Sequence, residues 1–272
     1  MDGTLLIKAL VMGVVEGLTE FLPISSTGHL IVAGRALAIP TQVKAAFEIF
    51  IQLGAILAVV VYFIRDLGEL FQRARRDPAP RRLLVNVGVA FAPAAVIGVL
   101  LGDWIEANLF SPTTVALALI AGGVVLLLVE SRQVPAARTN CVEQVTIRQA
   151  LGVGIAQIAS LFPGVSRSGA TLVGGLLAGL DRPTALRFSF YLSIPTMGAA
   201  STYSLLKALD RIPPDWWLAF GVGVVTSFVV ALLVVKLFLS YVARHDLRPF
   251  GWYRIGAGVV ILGLVSVGWL SG

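Results

Sequence analysis

Long apolar stretches separated by short polar segments make up most of this chain. A helix needs about 20 predominantly apolar residues to cross the hydrocarbon core of a membrane. Six stretches approach that length, at about 45–64, 84–101, 113–130, 185–206, 216–240 and 254–271. The pattern therefore predicts an all-α polytopic membrane protein, built as a single integral membrane domain over residues 1–272.

Two further regions, about 5–40 and 147–180, do not resemble ordinary spans. Each begins with an apolar helix, continues through a break rich in Gly, Ser and Pro, and ends with a second apolar piece of about ten residues. Pieces this short favour a re-entrant helical hairpin, which enters and leaves the membrane on the same side. Irregular backbone at membrane depth is tolerated only where protein or a water-filled cavity surrounds it. Both breaks are therefore predicted to face the protein interior.

The same break occurs twice in the sequence. An offset of 141 residues aligns the first region with the second over about thirty-five positions without a gap, for example Gly13 with Gly154, Glu16 with Gln157 and Ser25 with Ser166. This indicates internal repeats at about 1–130 and 141–272, each with one hairpin and three transmembrane helices. Because three is an odd number, we expect the second repeat to be inverted relative to the first, as in many transporters.

Basic residues predict which loops face the cytoplasm. The segment 65–83 contains six arginines and is expected to be an internal loop, as are 131–148, with Arg132 and Arg138, and 241–254, with Arg254. The segment 102–112 has no Lys or Arg and is expected outside. In this topology fifteen basic residues lie inside and five outside, namely Lys8, Arg35, Lys44, Lys207 and Arg211. The first hairpin then enters the membrane from outside.

Composition agrees with a membrane protein. The chain is 57% hydrophobic and 13% charged, with a mean hydropathy of +0.88. Its net charge of +6 could suggest a nucleic-acid partner, but the basic residues lie in short loops between apolar segments. Charge in that pattern is a topology signal, so no nucleic-acid partner is predicted.

Two carboxylates introduce the candidate chemistry. Glu16 and Glu20 are four residues apart, so on a helix they share one face and repel each other. Each is also expensive to bury in a membrane, so a proton or a cation must compensate their charge. Paired carboxylates can hold a divalent cation such as Mg²⁺ or Ca²⁺ and leave coordination positions for substrate phosphates. The alternative is a carboxylate pair that faces a polar crevice and serves only helix packing.

Opposed hairpins would bring the two breaks together. An arginine, hydroxyl groups and backbone N–H groups next to glycines form a cradle for phosphate oxygens, and helix N-termini just after Gly28 and Gly169 would add positive dipole ends. A histidine next to a hydroxyl can act as general base, general acid or nucleophile. These parts favour phosphoryl transfer on a lipid-linked phosphate. The alternative for Arg167 is a purely structural ion pair with Glu20. The candidate catalytic residues are Glu20, Ser26, His29 and Arg167, and the candidate substrate-binding residues are Ser25, Thr27, Gly164, Ser166, Ser168 and Thr171.

These motifs carry a family resemblance. Glu16-x-x-x-Glu20, Pro23-Ile-Ser-Ser-Thr-Gly-His29 and Pro163-Gly-Val-Ser-Arg-Ser-Gly-Ala-Thr171 together resemble the undecaprenyl-diphosphate phosphatase (bacitracin-resistance protein) family, and the resemblance extends over the whole chain. It implies hydrolysis of a polyprenyl diphosphate lipid, undecaprenyl diphosphate, to undecaprenyl phosphate and inorganic phosphate. The reaction would take place at the outer face of the bacterial inner membrane. It recycles the carrier lipid for peptidoglycan synthesis and confers resistance to bacitracin.

The resemblance also implies roles for single residues. Glu16 and Glu20 would be the acids of a divalent-cation-dependent enzyme, Arg167 would bind the diphosphate, and Ser26 and His29 would lie at the reacting phosphorus. Whether Ser26, His29 or an activated water attacks stays open, as does a homodimer. The alternative function is a transporter of a lipid phosphate or a small anion, because inverted repeats with broken helices are also a transporter architecture.

Overall fold

The computed structural model describes residues 3–131, 139–208 and 212–270, without the side chains of 207 and 208. The predictions for Arg132, Arg138 and Arg211, for the side chain of Lys207 and for the ends of the domain lie outside the described residues. The all-α class is confirmed: the described residues form helices and contain no β-strand, only an isolated bridge between Thr139 and Leu180. The helices are α1 (Gly3–Thr19), α2 (Ser26–Ala36), α3 (Thr41–Tyr62), α4 (Ile64–Ala74), α5 (Pro78–Leu109), α6 (Pro112–Ser131), α7 (Ile147–Ile158), α8 (Arg167–Leu177), α9 (Arg182–Ala208), α10 (Trp217–Val242) and α11 (Arg248–Ser266).

Five described helices are long and apolar enough to cross a membrane. They correspond to five of the six predicted spans and comprise α3, α5, α6, α11 and the segment Pro214–Val242 that includes α10. The sixth predicted span lies in α9, a helix of 27 residues. It carries several polar residues, among them Ser189, Ser193 and Ser201, and is not one of the five. Its role as a span therefore stays a prediction.

The prediction of a loop at 65–83 is wrong. Residues 64–74 form α4, and α5 begins only four residues later. The apolar side chains of Ile64, Leu67 and Phe71 recur at helical spacing, which gives the arginine-rich segment an amphipathic character. Asp77 then starts α5, because its side chain accepts a hydrogen bond from the Ala79 N–H and Pro78 occupies the first helical position. The Ala79 bond lowers the pKa of Asp77.

Both predicted helix–break–helix units are present. A break at 20–25 separates α1 from α2, and a 3₁₀ turn at Ala159–Leu161 followed by a break at 162–166 separates α7 from α8. In each unit the two helices pack against each other. The second helices begin at Ser26 and Arg167, earlier than the starts predicted after Gly28 and Gly169. The motif hydroxyls therefore lie in the first turns of these helices.

The two halves of the chain correspond in detail. The starts of α2 and α8, and those of α3 and α9, differ by the same 141 residues as the sequence motifs. The packing pairs correspond as well, because α1 packs on α10 as α7 packs on α5, while α6 packs on α11. If each helix is replaced by its counterpart in the other half, the pair α1–α10 becomes α7–α5, and the pair α6–α11 becomes itself.

Glycines set the position of the first helix in each half. A Cβ atom added at Gly13 would lie 2.6 Å from the carbonyl oxygen of Gly223 in α10. One added at Gly154, the repeat counterpart of Gly13, would lie 2.5 Å from the carbonyl oxygen of Ala90 in α5. Such distances require a residue without a side chain, a common device of close helix packing in membranes. Close packing at these points holds the ends of α1 and α7, and hence the breaks, in place.

Candidate functional site

The two breaks meet at a cavity of about 150 Å³. Seven of the eleven candidate site residues lie in the lining of this cavity. The cavity is lined by both breaks, by the 3₁₀ turn before the second break and by the first residues of α2 and α8. Side chains of α3 and α9 complete the lining. The lining residues are Glu20, Ser25, Ser26, Thr27, Gln52, Ser160, Phe162, Pro163, Gly164, Ser166, Arg167 and Met197.

Glu20 joins the two halves of the site. Its Oε1 atom lies 3.2 Å from Nη2 of Arg167, and its Oε2 accepts a 2.6 Å hydrogen bond from the Ser26 hydroxyl. The side chains of the ion pair are only 7% and 10% exposed. Little water screens a pair this deeply buried, so its geometry is held strongly. A carboxylate from the first repeat and a guanidinium from the second thus share one interaction.

Arg167 has donors that the protein leaves without an acceptor. Its Nη2 atom bonds Glu20 and lies 3.0 Å from the sulfur of Met197. Nε and Nη1 are buried and have no hydrogen-bond partner among the described residues. Unpaired buried donors of a charged group are costly, and proteins satisfy nearly all of them. The structural ion pair with Glu20 therefore accounts for only part of this side chain, and an anion in the cavity could occupy the remainder.

The backbone is unusual at the start of both second helices. Ser25 has φ 67° and ψ 102°, and Ser166 has φ 69° and ψ 116°. Non-glycine residues rarely occupy this region. Ser166 caps α8 through its hydroxyl, which accepts a 3.2 Å bond from the Gly169 N–H, whereas the buried hydroxyl of Ser25 has no described partner. Both helices thus direct N-terminal N–H groups towards the cavity, where they favour an anion.

Two predicted substrate-binding residues lie beside the cavity lining. The Ser168 hydroxyl donates a 2.8 Å hydrogen bond to the Leu22 carbonyl, which ties α8 to the first break. Thr171 is fully buried and lies 2.6 Å from the hydroxyl of Ser189 in α9. Both hydroxyls are engaged with protein atoms, and their contact with a substrate stays a prediction.

His29 is also outside the cavity lining. Its Nδ1 atom lies 2.7 Å from the Ser25 carbonyl oxygen, and its Nε2 lies 2.6 Å from the hydroxyl of Tyr253 in α11. The carbonyl can only accept, so Nδ1 carries a proton; in the neutral ring Nε2 then accepts from the tyrosine. The two rings stack with centroids 5.6 Å apart. His29 thus forms a polar pair with Tyr253 outside the cavity lining, and its catalytic role stays a prediction.

Glu16 is the candidate metal ligand with a free atom. It is 1% exposed, and its Oε2 has no described hydrogen-bond partner. Both oxygens of Glu20 are engaged, as described above. In the described part of the chain no three His, Cys, Asp or Glu side chains form a group that could hold a metal ion. Glu20 lines the cavity and Glu16 does not, so the divalent cation expected at this pair stays a prediction.

Arg254 is a residue of the site region that sequence reasoning missed. The prediction that it belongs to a cytoplasmic loop is wrong, because it lies within α11 and is 2% exposed. Its guanidinium donates to the carbonyls of Pro23 in the first break, at 3.2 Å, and of Gly164 and Val165 in the second, at 3.3 and 2.9 Å. The remaining acceptors are two carbonyls of α6, those of Ala118 and Leu119.

Arg254 therefore holds both breaks against α6. No carboxylate pairs with it among the described residues; five carbonyl dipoles take the place of a counter-ion. Glycines make room for it, since a Cβ added at Gly122 or Gly169 would lie 2.1 or 2.8 Å from its terminal nitrogens. The available sequence signal was an arginine at the beginning of an apolar segment, where an intramembrane charge is a candidate for function.

Comparison with known proteins assigns the chain to a family. Residues 9–260 match the family described as bacitracin resistance protein BacA. The undecaprenyl-diphosphatase of Thermoanaerobacter sp. (strain X514) is 48% identical over 262 residues, which cover 96% of this chain and 97% of the relative. Undecaprenyl-diphosphatase 1 of Chromobacterium violaceum is 46% identical over 269 residues, 98% of both chains. The undecaprenyl-diphosphatase of Acinetobacter baumannii (strain AYE) is 48% identical over 263 residues, 96% of both. The chain belongs to the BacA bacitracin resistance protein family.

Proposed function

We propose that this protein is an integral membrane undecaprenyl-diphosphate phosphatase, which converts the lipid diphosphate to undecaprenyl phosphate and inorganic phosphate. The observation that carries the proposal is the Arg167 side chain, which lines a hydroxyl-rich cavity and has two buried donors without a partner among the described residues. The substrate follows from the names of the relatives. The transporter alternative is not favoured, because these relatives are named as hydrolases.

The diphosphate binds between the two breaks. Arg167 lines the cavity, and its guanidinium fork, whose Nε and Nη1 have no partner among the described residues, suits two oxygens of one phosphate. The N-terminal N–H groups of α2 and α8 and the hydroxyls of Thr27 and Ser166 complete the cradle. Most of the catalytic effect of such a site comes from positioning and from stabilising the charge on the transferred phosphoryl group.

The hydrogen bond between Ser26 and Glu20 favours Ser26 as the nucleophile. Its hydroxyl lines the cavity and already donates to a carboxylate that can take its proton. Attack on the terminal phosphorus forms a phosphoserine and breaks the bond to the bridging oxygen, which leaves with undecaprenyl phosphate. Water then attacks the phosphoserine, releases inorganic phosphate and restores the hydroxyl. Attack by His29 or by water directly would leave no phosphoserine.

We further propose that Glu16 and Glu20 hold a divalent cation together with the substrate. The free Oε2 of Glu16 supports this, since a buried carboxylate oxygen without a partner requires a proton or a cation. A bound cation would neutralise charge on the diphosphate. Glu20 would then divide its two oxygens among the cation, Arg167 and Ser26.

The membrane arrangement is part of the proposal. Three observations support inverted repeats with re-entrant hairpins α1–α2 and α7–α8: the constant offset of the helix starts, the matching backbones of Ser25 and Ser166, and the exchange of packing pairs. With the basic residues inside, the protein lies in the bacterial inner membrane and its site opens to the external side. Chemical cross-linking in membranes tests the homodimer that the sequence left open.

The experiment is phosphate release from undecaprenyl diphosphate by detergent-purified protein, with and without EDTA. We expect release that EDTA abolishes and that Arg167→Ala lacks. Arg35→Ala serves as the matched control, because Arg35 is exposed at the end of α2 and does not line the cavity. Absence of release from folded protein in several lipids would refute the hydrolase, and flux assays would then test transport.

A further inference from the structure

Gln52 lines the cavity but belongs to neither catalytic motif. It lies in α3 and faces the same space as Arg167 and Glu20. The hydroxyl of Ser201 in α9 donates a 2.9 Å hydrogen bond to its Oε1 atom. Ser201 is 1% exposed, so this bond is shielded from water. The cavity wall thus includes the Gln52 amide, whose oxygen accepts a hydrogen bond from the buried Ser201 hydroxyl.

This hydrogen bond decides which end of the amide is available. A hydroxyl that donates to the carbonyl oxygen fixes the orientation of the carboxamide and leaves its NH₂ group for another partner. No described residue accepts a hydrogen bond from Nε2, and Nε2 is not among the buried side-chain atoms that lack a partner. Nε2 is therefore not a buried atom, and the cavity that Gln52 lines is within reach of its side chain.

One face of α9 positions both candidate donors. Met197 contacts Nη2 of Arg167, and Ser201, one helical turn later, bonds Gln52. The charged donor from α8 and the neutral donor from α3 are thus held by neighbouring positions of one helix. Two donors on different walls of one cavity suit a ligand with acceptor oxygens on several sides, as a diphosphate has.

We propose that Gln52 is a substrate-binding residue that donates an N–H of Nε2 to a diphosphate oxygen, and that Ser201 positions it. The inference rests on the proposed function and adds a neutral donor to the cationic one. A neutral donor binds a phosphate oxygen without requiring a counter-charge in the apoprotein. The hydrogen bond from Gln52 forms to the bound diphosphate in the ground state as well as in the transition state. Its loss should therefore weaken substrate binding more than it lowers kcat.

The test compares Gln52→Leu, which keeps the size but removes the donor, with Ser201→Ala. We expect Gln52→Leu to raise KM about tenfold and to change kcat less than about twofold, because hydrogen bonds to charged groups are worth about this factor. Ser201→Ala should raise KM by a smaller factor, about threefold. In the double variant, Ser201→Ala should not raise KM beyond the value of Gln52→Leu alone, because Ser201 acts only by positioning the Gln52 amide. Ser227→Ala is the matched control, a buried serine in α10 whose hydroxyl has no described partner.

A second readout separates this inference from the proposed function. Titration calorimetry with inorganic pyrophosphate measures anion binding without hydrolysis, and Gln52→Leu should weaken it about tenfold relative to wild type. That result sustains the inference even if wild-type protein released no phosphate from the lipid. If Gln52→Leu does not fold, Gln52→Asn and Ser201→Ala take its place. Unchanged KM and unchanged pyrophosphate binding in the variants, or a full Ser201→Ala effect in the double variant, would overturn it.

Discussion

Ser25 and Ser166 have almost the same backbone conformation, although they are 141 residues apart. Their φ values are 67° and 69°, and each immediately precedes a helix that starts at the cavity. Positive φ costs a non-glycine residue about 1–3 kcal/mol and persists only where surrounding structure enforces it. Both halves of the protein thus place the same strained turn at the same point, where it aims a helix N-terminus at the cavity.

Replacing Ser25 by glycine should relieve this strain. Ser25→Gly and Ser25→Ala both remove the hydroxyl, but only glycine occupies this φ without steric cost. We expect Ser25→Gly to have a free energy of unfolding about 1–2 kcal/mol higher than Ser25→Ala, measured by thermal unfolding in detergent. Equal stabilities of the two variants would contradict a strained turn. Phosphate release by the two variants should fall to a similar extent, because both lack the hydroxyl.

Arg254 should be essential for holding the breaks together. Arg254→Met keeps a long side chain but leaves five carbonyl groups without their donor. We expect a loss of about 3–5 kcal/mol in the free energy of unfolding, the range for removing one partner of a buried charged network. Arg244→Met, at an exposed position shortly before α11, should change it by less than about 0.5 kcal/mol. If Arg254→Met had the same free energy of unfolding as the wild type, packing alone would position the two breaks.

The carboxylate pair should determine the response to divalent cations. Magnesium at about 100 times its dissociation constant should stabilise wild-type protein by about 2.7 kcal/mol, visible as a rise in Tm. We expect this rise to disappear in Glu16→Gln and in Glu20→Gln. Glu106→Gln is the control, because Glu106 is an exposed carboxylate near the end of α5 and does not line the cavity. A Tm rise that survives in both acid variants would rule out the proposed ligands.

Local patterns predicted the parts of the site that depend on chain order. The repeat places Glu20 and Arg167 at corresponding breaks, and the expectation that these breaks meet agrees with the 3.2 Å contact between the two side chains. The helix–break–helix units follow equally from short apolar pieces around Gly, Ser and Pro. The arginine-rich segment 65–83 also has apolar residues at helical spacing, and this period predicts the helix α4 despite the high charge.

The remaining features depend on the packing of distant segments. Arg254 at the edge of an apolar stretch has the same sequence appearance as any topology-setting arginine. Only the packing of α11 on α6 brings it to the carbonyls of both breaks. In the same way, the orientation of α2 about its axis places His29 next to Tyr253, a residue 224 positions away in the sequence. No local spacing contains that information.

Ser26 and His29 give opposite predictions for the covalent intermediate. If Ser26 attacks, brief incubation with substrate labelled in its terminal phosphate should leave acid-stable label on Ser26, because phosphoserine survives acid whereas phosphohistidine does not. Ser26→Ala should then abolish labelling and reduce turnover by at least about a hundredfold. His29→Ala should lower the rate yet retain the label, and Tyr253→Phe, which removes only the hydroxyl 2.6 Å from Nε2, should behave as a milder form of it. Acid-labile label that depends on His29 would instead assign the attack to the imidazole, and absence of label in rapid-quench experiments would assign it to water.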